Sequence, residues 1–300
     1  MTQGEDADVE KEVRQALVEA DLAALAGDPA LTIQPLPSLT NRAFRVEGST
    51  QTYVVRLPRR ETSALLDWAN EAANLSIAAG EGLGAPVRFF SQETGVLVMA
   101  ALQAEPVTPK ALRGNARALT LIGHKISALH RITTPFGKRL DRVDLINRTL
   151  KPISSKAEPA GINYAVLAMR INEEFQSHDA DMGQWVPSHA DLVCGNILLG
   201  QGRVWLIDWE YSLMADRHWD LAYFSLDAEL SEKDEAIYLE AYAKECGEPD
   251  ARQFALYKCL CDLISGLWAM EQAQLGNTAT NFIDYAQLRL ARSEKRFNEL

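Results

Sequence analysis

Between Glu5 and Leu25 apolar side chains recur at Val9, Val13, Leu17 and Ala20, the spacing of one helix face, and Gly27 stops the run. Three short runs of strand character follow, Leu31–Leu36, Ala43–Val46 and Thr52–Leu57. The turn Glu47-Gly48-Ser49-Thr50 joins the last two, so a hairpin is expected. A helical pattern through Leu65, Leu66, Ala69, Ala72 and Ala73 ends at Gly80–Gly84, and Val87–Phe90 with Val96–Ala100 reads as a second hairpin around Glu93-Thr94-Gly95. After Pro109 the pattern turns helical, over Leu112–Ile132, Asp141–Leu150, Ile162–Phe175, Asp234–Ala243, Ala251–Gln274 and Asn281–Asn298. One hairpin interrupts it, Ile197-Leu198-Leu199 and Val204–Ile207 about Gly200-Gln201-Gly202. The expected fold class is α+β and bilobal. A small antiparallel-sheet lobe with a leader helix spans 1–102, and a larger, mainly helical lobe spans 103–300, with a hinge near Met99 to Glu105.

Composition narrows the picture. Three hundred residues, 47% hydrophobic and 24% charged, suffice to bury a sizeable core, and a net charge of −11 argues against nucleic acid and anionic membranes as partners. The four cysteines (Cys194, Cys246, Cys259 and Cys261) show neither a metal spacing nor a disulfide framework, and read as core residues of a reducing cytoplasm. No uninterrupted apolar run approaches the ~20 residues of a membrane span. The acidic N-terminus lacks the apolar stretch of a secretion signal. A cytoplasmic protein with no membrane insertion is therefore expected; the oligomeric state is left open.

Candidate chemistry concentrates between Ser188 and Asp220. His189, Asp191, Asn196 and Asp208 sit at loop and strand ends between apolar runs. Singly, Asp and Asn there mark turns as readily as sites. Together, Asp191 offers a base for a hydroxyl proton, while Asn196 and Asp208 offer hard oxygen ligands for magnesium.

The string His189-Ala190-Asp191, then Asn196, then Ile207-Asp208-Trp209-Glu210-Tyr211, resembles the choline/ethanolamine kinase family. That family belongs with the aminoglycoside phosphotransferases and has a protein-kinase-like fold. The resemblance implies that Asp191 is the catalytic base, that Asn196 and Asp208 bind magnesium, and that Asp220 braces the catalytic loop. Ala190 stands where Asn or Gly is usual. The family's phosphate-covering loop maps to Leu36–Arg42, where Thr40 and Asn41 fit the pattern but Pro37 and Ser38 replace glycines. Glycine there lets backbone N–H groups approach phosphate oxygens closely. A solvated strand-end cation is the ordinary reading of Arg56. The resemblance instead implies a pair with Glu71 that holds ATP phosphates, with arginine where most kinase-like folds use lysine. His130 reads as a packed structural histidine.

Two C-terminal strings, Gly266-Leu267-Trp268 and Asp284-Tyr285-Ala286-Gln287, resemble the choline-pocket segments of the same family. Aromatic residues at helical spacing are usually core. With Glu210 and Tyr211, however, Trp268, Phe282 and Tyr285 make an expected wall for an ammonium group, since methylated cations bind aromatic faces and a nearby carboxylate. Ser265 stands where eukaryotic members carry a further tryptophan, and Phe282 replaces a tyrosine. The expected function is ATP- and Mg²⁺-dependent phosphorylation of the hydroxyl of choline or a similar small amino alcohol. The alternatives are a kinase for ethanolamine, an aminoglycoside or another hydroxylated amine, and an inactive kinase-like binding protein.

Overall fold

The computed structural model describes residues 3–38, 41–59, 67–153, 162–178 and 185–300. They form two compact units, Met1–Glu105 with Leu198–Tyr211, and Pro106–Ile197 with Ser212–Leu300.

In the first unit α1 (Gln3–Glu19) and α2 (Ala23–Ala26) precede the strands β1 (Thr32–Leu36), β2 (Asn41–Glu47) and β3 (Thr52–Pro58). Helix α3 (Trp68–Gly80), β4 (Val87–Phe90) and β5 (Leu97–Ala100) complete an antiparallel sheet in the order β1-β2-β3-β5-β4. The stripe read from the leader sequence is what α1 buries: Val13 and Leu17 pack with Val46, Val55, Leu57 and Val98. The leader breaks at Asp21, which adopts φ +59, so its last turn is a separate short helix. Because strand side chains alternate, Val55 and Leu57 share one face of β3 and Arg56 takes the other. Helix α3 is capped by Asp67, whose carboxylate accepts from the Asn70 N–H, and its first turn carries Glu71.

Strand β6 (Glu105–Pro106) pairs with β8 (Ile197–Gly200), which pairs with β9 (Arg203–Leu206), confirming the hairpin about Gly200-Gln201-Gly202. A linear division after Leu102 leaves out the return of Leu198–Tyr211 to the first unit. The Leu206 N–H donates to the Leu83 carbonyl (2.8 Å), and a Cβ at Gly84 would lie 3.1 Å from the Leu206 carbonyl oxygen.

The second unit is helical. Gly114, at φ +70, divides the stretch after Pro109 into α4 (Pro109–Leu112) and α5 (Ala116–His130), where one helix is expected from Leu112. Then come α6 (Arg142–Leu150), α7 (Tyr164–His178), β7 (Trp185–Ser188), β10 (Leu213–Asp216), α8 (His218–Asp227), α9 (Glu232–Cys246), α10 (Ala251–Gln274) and α11 (Phe282–Asn298). Side chains of Asn115, Asp141, Ser231, Asp250 and Asn281 cap α5, α6, α9, α10 and α11. The two-stranded antiparallel sheet of β7 with β10 is not evident in the sequence pattern, since four-residue strands show too little alternation to register. Three of the cysteines are buried and all four are free thiols. Among the described residues no helix is long and apolar enough to cross a membrane.

Candidate active site

In the first unit Arg56 is the centre of a carboxylate cluster. Its Nη1 and Nη2 engage Glu71 Oε1 (2.6 Å) and Oε2 (2.9 Å) as a fork, and Nη1 also donates to Asp208 Oδ1 (2.9 Å). Glu210 lies 4.0 Å from the same nitrogen. Arg56 is 5% exposed and Glu71 1%, so the reading of Arg56 as a solvated strand-end cation does not hold. Burial alone would favour the neutral guanidine, but the charges of Glu71, Asp208 and Glu210 outweigh it and raise the Arg56 pKa. Burial, followed by the charge of Asp208, pushes the Glu210 carboxyl up to about 8 despite Arg56.

Asn41 is also buried here, and its Nδ2 donates to Glu210 Oε2 (2.8 Å). The structure thus joins two residues that the sequence assigns to different tasks, phosphate covering and amine binding. Of the covering loop, Thr40 lies outside the described residues. Ser38, in a glycine's place, accepts the Asn41 N–H on its hydroxyl (3.3 Å), so that amide is occupied within the loop itself. Tyr211 is exposed.

The second unit holds the turn expected to carry the catalytic base. Asp220, at the first turn of α8 and fully buried, accepts the backbone N–H of His189 (2.8 Å) and of Ala190 (2.8 Å), and lies 3.3 Å from His130 Nε2. Burial would raise its pKa, but the hydrogen bond and charge of His130, then the charge and N–H of His189, hold it below the ordinary carboxylate range. His130 is thus a packed residue, its Nδ1 2.9 Å from the Tyr242 hydroxyl. Ala190 has φ +65, a left-handed conformation that Gly or Asn adopts more easily, and this is the physical reason those residues suit the position. Trp219 holds it there as well, donating from Nε1 to the Ala190 carbonyl (3.0 Å).

Beyond it, Asp191 and Asn196 meet across a 3₁₀ turn, Cys194–Asn196. Asn196 Nδ2 donates to the Asp191 carbonyl (2.9 Å) and to Asp191 Oδ2 (3.0 Å). With its amide nitrogen turned to Asp191, Asn196 has its oxygen on the other side, the acceptor a hard cation requires. Asp208, at φ +67, belongs to the first unit and Asn196 to the second. Among the described residues no group of three His, Cys, Asp or Glu forms a metal cage. Asn196 and Asp208 each offer an oxygen of the kind magnesium accepts, since that ion usually takes one or two protein ligands and completes its shell with water and phosphate.

The C-terminal helices bring together part of the expected aromatic wall. Trp268 on α10 and Phe282 on α11 meet edge to face, with centroids 5.5 Å apart and planes at 80°. Tyr285 is half-buried and lies under the Arg289 guanidinium (4.9 Å to the ring centroid). Ser265 is buried and donates to the Tyr223 hydroxyl (3.3 Å). Tyr223 itself is pushed well above its ordinary pKa, by burial and then by the charge of Asp191. The sequence reading passed over Tyr223, although three residues after Asp220 places it on the same face of α8. Glu210 and Tyr211 belong to the first unit, and Trp268, Phe282 and Tyr285 to the second.

Similar proteins carry the same architecture. A solved structure of a choline/ethanolamine kinase family protein from Mesorhizobium loti is 28% identical, with TM-score 0.82 over 95% of this chain and 94% of that one. The choline kinase LicA from Streptococcus pneumoniae is 24% identical, with TM-score 0.80 over 95% and 98%. The LicA homolog of Metamycoplasma hominis is 37% identical over 82 residues, which is 27% of this chain and about a third (32%) of that protein's length. Residues 32–257 match the phosphotransferase enzyme family (APH), three-quarters of the chain. The chain belongs to the phosphotransferase enzyme family.

Proposed function

We propose that the protein transfers the γ-phosphate of ATP to the hydroxyl of choline or a similar small amino alcohol. The observation that carries this reading is the Asp191–Asn196 turn, in which one carboxylate oxygen of Asp191 is held by an amide at 3.0 Å. Two main-chain N–H bonds to the buried Asp220 keep the preceding residues in place. A base for phosphoryl transfer must be fixed in this way, because the reaction depends on positioning and on charge compensation more than on covalent chemistry.

In this reading Asp191 takes the hydroxyl proton as the substrate oxygen bonds to the γ-phosphorus. The bond from that phosphorus to its bridging oxygen breaks, and ADP leaves with the electron pair. Arg56, oriented by Glu71, faces the nucleotide phosphates; its buried Nε–H, without an acceptor among the described residues, is a donor left for a phosphate oxygen. Thr40 and Asn41 belong to the covering loop. Asn196 and Asp208 are each assigned as a magnesium ligand, and the ion would supply charge neutralisation for the transferred phosphate.

Trp268, Phe282 and Tyr285 wall the ammonium group; Glu210 and Tyr211, the other residues assigned to amine binding, are carried by the first unit. The edge-to-face pair of Trp268 and Phe282 supports this, because it brings two aromatic rings of the wall together, and aromatic rings are what binds a cation that has no hydrogen-bond donor of its own. The similarity to a choline/ethanolamine kinase family protein supports it as well. The test is phosphorylated product formed from ATP with choline, ethanolamine, thiamine and aminoglycosides in turn. Choline or ethanolamine is expected to give the highest kcat/KM. Preference for an aminoglycoside would replace the substrate assignment, and nucleotide binding without turnover on any acceptor would make the protein a binding protein.

A further inference from the structure

Asp227, the last residue of α8, carries two contacts that lead in different directions. Its Oδ2 accepts the Cys194 N–H at 2.7 Å, which fixes the 3₁₀ turn that ends in Asn196. Its Oδ1 lies 3.4 Å from Arg289 Nη2. Arg289 in turn lies over the Tyr285 ring and donates from Nη1 to Asp262 (3.1 Å). One buried guanidinium therefore touches both the carboxylate that caps the catalytic turn and an aromatic residue of the amine wall. Its burial (6% exposed) matters, because an ion pair out of water is screened weakly and fixes geometry.

We propose that Asp227 and Arg289 are positioning residues that tie Tyr285 on α11 to the Asp191–Asn196 turn, so that the seating of the amine and the placement of the base are set together. The proposal rests on the phosphotransferase reading of that turn. Neither residue touches the reacting atoms. Support from Asp262 is not the point of the contact, because Asp262 also holds Arg292 (2.6 Å) and Arg296 (2.7 Å) and keeps both when Arg289 is changed. The fold thus has a built-in control: Arg292 shares the Asp262 contact but has no bond to Asp227 or stacking on Tyr285 among the described contacts.

The experiment uses the full chain and three variants, Arg289→Lys, Asp227→Asn and Arg292→Met, with two readouts. The first is amide hydrogen exchange of the segment containing Cys194, without substrate. Arg289→Lys is expected to speed it although Arg289 makes no bond to that amide, and Arg292→Met is expected to leave it alone. Equal exchange in wild type and Arg289→Lys, or equal acceleration in Arg292→Met, would overturn the proposal. The second readout is kinetic. Arg289→Lys and Asp227→Asn are each expected to lower kcat and raise the amine KM, by roughly 2–30-fold overall, with the ATP KM little changed. In the double variant the losses should fall well short of their product. Losses that multiply, or a shift in KM with kcat untouched, would overturn it. Should the wild type phosphorylate no amine, the proposed function fails by that result alone, and exchange at Cys194 still decides whether Arg289 holds the turn.

Discussion

At the scale of single residues, the site depends on charged groups held where water cannot screen them. Arg56 is the clearest case, a guanidinium fork on Glu71 that also reaches Asp208. Lysine has one point charge in place of the fork, so Arg56→Lys should raise the ATP KM about tenfold or more while the amine KM stays close to wild type. Unchanged ATP kinetics in that variant would remove Arg56 from nucleotide handling. Asp220 gives a pH dependence. Its folded pKa lies below the ordinary range, so its contribution to stability is complete above the unfolded carboxylate value and is lost as pH falls through the folded one. Urea unfolding at several acidic pH values should show this loss in wild type, and Asp220→Asn should be less stable above that range and show less of the loss, so that the two converge at low pH. An identical acid limb in both proteins would contradict the linkage. Individual residues were legible unevenly in the sequence. Arg56 and Glu71 lie fifteen residues apart on a strand and the next helix; the strand pattern alone reads Arg56 as a solvated cation, and it is the family resemblance that implies their pairing. Asp227 and Arg289 are separated by sixty-two residues and sit in patterns that read as ordinary helix, so only the packing of α8 and α11 on α10 reveals them.

At the scale of elements, helices approach one another where side chains are smallest. A Cβ on Gly123 of α5 would lie 2.3 Å from the Tyr238 carbonyl oxygen on α9. Gly123→Ala should therefore lower stability by about 1–3 kcal/mol, since backbone cannot move aside as a flexible side chain can. Thermal unfolding of the variant checks this, and an unchanged Tm would mean the helices are free to part. The pair α10 and α11 carries the substrate question. Trp268→Ala should weaken choline more than ethanolamine, because a methylated ammonium relies on ring faces worth roughly 0.5–2 kcal/mol each, whereas a primary ammonium keeps its hydrogen bonds. The measurement is kcat/KM for both amines, and an unchanged ratio would make Trp268 a core residue. An indole at position 265, by contrast, would overpack a site that Ser265 fills with its hydroxyl on Tyr223. Most elements were predictable because periodicity and capping residues agree, as at Asp141 for α6 and Asn281 for α11. Those that were missed are short, among them β6, β7, β10 and the breaks at Asp21 and Gly114, the latter a glycine at positive φ that splits an apolar pattern otherwise continuous.

At the scale of the whole molecule, the chain passes through the first unit twice, at Met1–Glu105 and again at Leu198–Tyr211. Arg56 and the carboxylate Asp208 thereby come from stretches 152 residues apart in one unit. Asp191 and Asn196 stay with the helices that carry Trp268, Phe282 and Tyr285. A linear sequence cannot announce such a return, since a hairpin pattern says which strands pair and not which unit they join. The central claim is amine-dependent phosphoryl transfer with Asp191 as the base. Its most direct test is the formation of phosphorylated amine from ATP and Mg²⁺ by wild type and by Asp191→Asn, with nucleotide affinity measured in parallel. The account predicts product with the wild type, and a loss of about 10²–10⁴-fold in kcat for the variant at nearly unchanged ATP affinity. Near-normal turnover by Asp191→Asn would contradict it.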